Sequence, residues 1–529
     1  MTPNCDILIH HTKRFMFVLG FILIAECESA KILGIMPTSS FSHQIVFQPL
    51  WKELSLRGHQ VVVLTTHPIN DKSLTNLTEV HLDSVRKFFK ELRFYDKLAE
   101  NAETFIDLGL YLKSVTIKLT YHLVKSKLVQ NVLRTNRVFD LVIAEAHFPS
   151  ILGLIGYYRC PWIGVSSMDP ALQYHLAIGN PVHPVLNPDG NLDIADLENL
   201  NFFERFSSFI YRNAYIHEFK NELPRLTAIS REYLGEDLPS LSEIQSNVSM
   251  LFTSAHPIFH NLRPVHANTI FIGSGIHLRK PEILSNNLKT FLDEAKGGAI
   301  YFSLGSNVNA NILNPDFKKA LLDTFANLPY HVLLKLDANL TDVPKNVLVQ
   351  KWMPQQDILR HPNVKLFITQ GGLQSLQEAI TNDIPLIGIP FFGDQLSNVN
   401  KMVKRGYGVK LDKKGITKES LTNAIKEVME NPKYREKARE MGAIFRDEEV
   451  PSLQRAVYWT EYVIRHKGAR HLRSPVVGMP AWKYYMLDVV GFLTLIVVLI
   501  VILCFVLVKV SFWLVLRCFT NKKSKKKTN

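Results

Sequence analysis

The chain has 529 residues, 47% of them hydrophobic and 21% charged, with a net charge of +13. That length exceeds a single compact core and calls for two domains of roughly 200 to 250 residues plus accessory segments. The surplus charge does not signal nucleic acid: Lys509, Arg517, Lys522, Lys523, Lys525, Lys526 and Lys527 carry seven positive charges beyond the last apolar run, and the rest is spread thinly.

From the N-terminus, Lys13 and Arg14 precede an apolar stretch at 15–25, and small residues follow at Ser29 and Ala30. This reads as a secretory signal peptide over 1–30, too short to cross a bilayer. Residues 32–36 read as a strand and 37–42 as a polar turn. The spacing of Ile45, Val46, Pro49, Leu50 and Leu54 predicts one helix, closed by Gly58 and followed by a β-branched strand at 61–64. Together these make a βαβ unit of a buried parallel sheet. Another strand, 141–144, runs directly into Glu145.

Between 170 and 260 the patterns weaken, with Pro and Asn clustered at 180–188, and the expectation is irregular or helical insertions around an acceptor pocket. Residues 272–281 read as a linker. A second α/β pattern then begins: strands at 299–304, 331–336, 366–369 and 386–389 alternate with helices at 318–325, 375–380 and 421–429. Such alternation argues for a doubly wound parallel sheet. The expected fold is therefore α/β, with two Rossmann-like domains in series and ligand bound in the cleft between them.

Residues 489–508 form an uncharged apolar run of the length that spans about 30 Å of hydrocarbon. Asp488 stands before it and the lysine-rich tail after it, so the charge bias puts the C-terminus in the cytoplasm and the bulk of the chain in a lumen. Lys526-Lys527-Thr528-Asn529 matches a dilysine retrieval signal of the endoplasmic reticulum. Acceptor sequons at Asn76, Asn247 and Asn339 agree with translocation. Of five cysteines only Cys160 lies in the globular part, so no disulfide framework is expected.

The informative segment is 367–395, FITQGGLQSLQEAITNDIPLIGIPFFGDQ. A strand meets Gly371 and Gly372, and a helix starts at once. Glycines there let the backbone approach a ligand, and the free N–H groups of the new helix suit an anion such as a nucleotide diphosphate. Glu378 lies along that helix, within reach of ribose hydroxyls. Asp394 and Gln395 follow the next strand, on the edge where such folds bind ligands.

Over its whole length this segment resembles the signature of the UDP-glycosyltransferases, the UDP-glucuronosyl and UDP-glucosyl transferases, and invertebrate members in particular. The resemblance implies a GT-B fold and a donor site of Ser306, Lys335, Trp352, Gln355, Gln370, Gly371, Gly372, Gln374, Glu378, Asp394 and Gln395. In it Trp352 stacks on uracil with Gln355 beside it, Ser303–Ser306 (SLGS) and Lys335 lie by the diphosphate, and residues 456–473 join the donor domain to the membrane helix. The implied domains are 31–275 for the acceptor, 276–450 for the UDP-sugar, a connecting segment at 451–487, a transmembrane helix at 488–510 and a basic tail at 511–529.

The resemblance also makes His43 the general base that activates an acceptor hydroxyl, a role suited to imidazole near neutral pH. Its carboxylate partner falls at Glu145, where the family usually carries Asp, with Asp140 as the fallback. A second departure is Gln370, where many members carry His; an amide can donate to phosphate, but without charge assistance. No Asp-x-Asp motif or cluster with metal-ligand spacing occurs, so neither cofactor nor metal is expected and the UDP-sugar is a co-substrate. The implied activity is transfer of a hexose, glucose above glucuronate, to a small lipophilic hydroxyl compound with inversion, in the manner of a detoxifying conjugase. A non-catalytic binder of the same ligands is the alternative, and a homo-oligomer stays open.

Overall fold

The computed structural model describes residues 29–100, 105–136, 138–189, 192, 194, 199–261, 263–308, 312–338 and 340–525. The signal peptide through residue 28, Asn339 and the dilysine pair lie outside the described residues. The chain divides into two compact units after Arg473.

The larger unit holds two parallel sheets. The first contains β1 (Lys31–Met36), β2 (Gln60–Thr65), β3 (Leu77–His81), β4 (Leu141–Glu145), β5 (Trp162–Ser166), β6 (Met250–Thr253) and β7 (Thr269–Phe271) in the order β3-β2-β1-β4-β5-β6-β7. The second contains β8 (Ala299–Ser303), β9 (His331–Lys335), β10 (Val347–Gln350), β11 (Val364–Thr369), β12 (Leu386–Gly388) and β13 (Gly408–Lys410) in the order β10-β9-β8-β11-β12-β13. Both orders reverse direction at one place, between β1 and β4 in the first sheet and between β8 and β11 in the second. Loops leaving those paired strands diverge to opposite faces and open a crevice at their carboxyl ends.

Helices cover both faces of each sheet, which is why the strands are apolar throughout rather than alternating. In β1, Leu33 and Ile35 pack to one side while Ile32 and Met36 pack to the other. The predicted helix of 45–58 is two pieces, Phe41–Ile45 and Gln48–Leu56, with Pro49 in the first turn of the second. Proline lacks an N–H and is best accommodated in a first turn, where that N–H would have no partner, so the second piece begins there.

Three stretches sharpen or correct their sequence reading. Residues 202–234 form one long helix, Phe202–Leu234, opened by an Asn201/Glu204 capping box and containing Pro224. The supposed linker at 272–281 is buried: Ile272 and Ile276 sit in the core of the first sheet. The helix Ser452–Arg465 is more than a connector, because Ala456, Val457 and Val463 pack into that same core and Glu461 meets Arg57 and His59.

The smaller unit contains one long helix, Leu487–Lys525. Its apolar stretch, Leu487–Cys518, is long enough to cross a membrane and runs past the expected end at 510. Lys509 does not break it, because Val510 and 512–516 continue the apolar pattern and the lysine ammonium sits 4.9 Å from the Phe505 ring.

Candidate active site

His43 and Glu145 meet at the switch point of the first sheet. Glu145 is the last residue of β4, beside the end of β1, and His43 lies in the five-residue helix that follows β1. The His43 Nδ1 to Glu145 Oε1 distance is 2.7 Å, with the His side chain 14% and the Glu side chain 2% exposed. A carboxylate only accepts, so Nδ1 carries the hydrogen and Nε2 keeps its lone pair. The Thr38 hydroxyl lies 2.9 and 2.7 Å from the two Glu145 oxygens, and the Thr38 N–H donates at 3.4 Å. Burial pushes the Glu145 carboxyl up, but the hydrogen bond and charge of His43, then His147 and Thr38, outweigh it and leave the group below its ordinary value. Asp140 lies just before β4, at its opposite end, and accepts the Lys31 N–H at 2.7 Å. It is not brought to His43.

His147 was not singled out in the sequence. Its ring stands 5.5 Å from that of His43, nearly perpendicular to it. Burial, then the His43 charge, lowers its pKa to about 4, against the pull of Glu145. It is a neutral imidazole beside His43.

The second switch point gathers the donor-side residues. Gly371 has φ +85°, and a Cβ there would fall 2.3 Å from Val399 Cγ2. Gly372 is the residue before the helix Leu373–Thr381, whose first N–H groups face the carboxyl edge of β11. Gln370 packs on the SLGS loop, since a Cβ on Gly305 would lie 2.1 Å from its Nε2. Lys335 ends β9 and donates to the Gly305 carbonyl at 2.8 Å, with its ammonium 4.8 Å from the Trp352 ring. Burial lowers its pKa to about 8. Ser306 lies on the same loop, 3.5 Å from Asn307 Oδ1.

Trp352 is 57% exposed, with the Lys335 ammonium over its ring. Gln355 Nε2 donates to Glu378 Oε2 at 2.7 Å and Gln356 Nε2 to Oε1 at 3.2 Å, with His277 Nε2 3.3 Å from Oε1. Glu378 Oε2, with one donor, keeps a lone pair for a further one. Asp394 accepts from Asn398 Nδ2 at 2.8 Å, and the same amide reaches the Gly371 carbonyl at 3.0 Å. Burial raises the Asp394 pKa, opposed by Asn398 and by the charges of His260 and His43. The Gln395 Oε1 accepts the N–H groups of Phe391 and Phe392. Gln374 turns to the other sheet and donates to the Ser167 carbonyl at 2.8 Å.

Two more contacts cross the cleft beside His43. Asn307 Nδ2 donates to Ser40 Oγ at 2.9 Å, and the Phe41 ring meets Trp352 edge-on at 5.2 Å. The polar turn at 37–42 was the available sequence signal for Thr38 and Ser40. Nothing in the sequence marked Asn307 or His277.

The family model described as UDP-glucoronosyl and UDP-glucosyl transferase matches residues 30–526. The chain belongs to this family. It is 32% identical to UDP-glycosyltransferase UGT5 of Dactylopius coccus, over 97% of this chain and 98% of that one. It is also 32% identical to UDP-glucosyltransferase 2 of the same insect, over 97% and 99%. Among solved structures it is similar in fold to Os79 from O. sativa, with TM-score 0.56 and 16% identity over 82% of this chain and all of that one. The fold is thus GT-B, and the chain is a UDP-glycosyltransferase.

Proposed function

We propose that this transferase moves glucose from UDP-glucose to a hydroxyl of a small lipophilic acceptor, with His43 as the base and inversion at the anomeric carbon. The observation that carries the reading is the His43–Glu145 contact at 2.7 Å, which leaves His43 Nε2 free to accept a proton. The acceptor oxygen attacks the anomeric carbon as its proton passes to Nε2. The bond from that carbon to the diphosphate oxygen breaks, and UDP leaves with the electron pair. Glu145 stabilises the imidazolium that forms. Lys335, Gln370 and the N–H groups at 371–374 stabilise the charge developing on UDP, Trp352 and Glu378 hold the nucleoside, and Asp394 and Gln395 take sugar hydroxyls.

Glucose is favoured over glucuronate because a uronate carboxylate would approach the acidic side chain of Asp394, and because UDP-glucosyltransferase 2 is so named. The catalytic unit is placed in the lumen of the endoplasmic reticulum, held by Leu487–Cys518 with the lysine tail in the cytoplasm. Asn76 and Asn247 are exposed, as glycan acceptors must be.

The test is UDP release from UDP-glucose and UDP-glucuronate with a panel of phenols. UDP-glucose should be used faster, and His43→Ala should abolish release while UDP still binds. Binding of UDP without release by the unaltered chain would overturn the enzymatic reading.

A further inference from the structure

The first three turns of the helix Phe202–Leu234 are amphipathic in reverse. The inward residue is Ser208, 2% exposed, whose hydroxyl donates to the Pro184 carbonyl. Arg212 reaches back to the Val182 carbonyl and Arg205 to that of Leu200. Outward stand Phe202, Phe203, Phe206, Phe209 and Ile210, from 43 to 76% exposed. Phe202 lies against both Phe203 and Phe206, so the rings form one cluster rather than scattered residues. A soluble helix buries its apolar stripe and solvates its polar face. This one does the opposite, and its exposed apolar surface is on the order of 500 Å², the scale at which such patches mark binding sites.

We propose that this aromatic face is a membrane-docking surface, seated at the headgroup–acyl boundary of a phospholipid leaflet. Three observations choose lipid as the occupant. The same chain carries a helix able to cross a bilayer, so docking is intramolecular and needs little intrinsic affinity. The face is plain Phe and Ile, which an interfacial helix buries among acyl chains, and the exposed Arg205 stands on its flank as a cation toward the headgroups. The helix is also preformed, capped at Asn201 and tied to the loop at 182–184, so no ordering cost is left to the moment of docking.

The docked helix also bears on the cleft. Tyr215, one turn beyond Arg212 in sequence, donates to Gln173 Oε1 at 2.6 Å, and Gln173 Nε2 donates to the carbonyl of His147 beside His43. If the acceptor is lipophilic, as the proposed function holds, this couples the acceptor side of the cleft to the layer in which acceptors dissolve.

The test uses the full chain in nanodiscs of phosphatidylcholine with brominated acyl chains. Phe206→Trp and Ile283→Trp are each read as a difference from the parent, which has native tryptophans of its own. The added indole at 206 should lose about half its emission or more to bromine quenching, and that at 283, a position 97% exposed, should lose little. Equal quenching at the two positions overturns the proposal whatever the enzyme's substrate proves to be. So does a dimer cross-linked through position 206 without quenching, which would make a second copy the occupant. The triple variant F203D/F206D/F209D should raise the apparent KM for a membrane-partitioning phenol by about 5-fold and leave that for a water-soluble phenol unchanged. An equal rise for both phenols counts against a lipid-facing role.

Discussion

Replacing Glu145 by Gln tests the base without changing its shape. In the parent, the carboxylate accepts from His43 Nδ1 at 2.7 Å and from the Thr38 hydroxyl at 2.9 and 2.7 Å, buried from water. The amide can still offer its oxygen to Nδ1, but its NH₂ then faces the Thr38 N–H, which loses its acceptor. A hydrogen bond to an ionised group contributes about 1.5–3 kcal/mol and a neutral one about 0.5–1.5. The larger loss comes as His43 takes the acceptor proton, because two unit charges about 4 Å apart attract by about 4 kcal/mol at an effective dielectric of 20. A barrier higher by about 3–4 kcal/mol lowers kcat by about 10²- to 10³-fold. UDP release at saturating acceptor is the assay, and KM for the UDP-sugar should stay within about 3-fold, since the Glu145 side chain bonds only Thr38 and His43 among the described residues. Glu145→Asp keeps the charge but withdraws it by one methylene, for a loss of about 10-fold. A Glu145→Gln enzyme that folds and keeps kcat within about 3-fold of the parent would refute the pairing as the source of base strength. Stability gives a second readout. The folded pKa of Glu145 is lowered, so its contribution is present above the ordinary value of 4.5 and lost as pH falls below that through the folded value. Glu145→Gln should abolish that part of the acid sensitivity.

Three further outcomes follow from the donor side. Lys335, proposed to meet the diphosphate, has its pKa lowered to about 8 by burial, so UDP affinity by calorimetry should fall as pH rises through about 8. In Lys335→Met that inflection should vanish and affinity at pH 7 should drop by about 10-fold. Trp352→Ala should weaken UDP by about 10-fold and Trp352→Phe by much less, because a smaller ring still stacks. Gly371→Ala should cost about 2 kcal/mol in thermal unfolding from its positive φ and the clash with Val399, and Val399→Ala should recover the clash but not the backbone part.

The readable parts of the fold were those where one local signal suffices. The strands β1, β4, β8 and β11 at the two switch points are continuous apolar runs, and the turns after them hold glycine or polar residues. Short strands such as β6, Met250–Thr253, carry too few residues for a period to show. The long helix at 202–234 was legible only as irregular or helical insertions, because in its first turns aromatic residues face outward and a serine faces in, so the usual stripe is absent. At the site, His43, Glu145 and the glycine pair could be placed by motif. The Asn307–Ser40 bond joins residues 267 apart, and no spacing rule reaches that far.

That bond bears on how the base is held. The helix carrying His43 has five residues, and Ser40 makes no side-chain cap to it. A helix that short has no stability of its own and takes its geometry from its contacts. On one side these are Glu145 and Thr38, within the first sheet. On the other they are Asn307 and Trp352, which belong to the loops of the second sheet where the nucleotide is to lie. Both sheets therefore contact the helix that carries His43, and Trp352, the ring proposed to take uracil, is one of those contacts. In a transferase this arrangement has a chemical use. Water competes with the acceptor for the anomeric carbon, and a proposed base held from both sheets acts best in a cleft that excludes water, which favours the acceptor over hydrolysis.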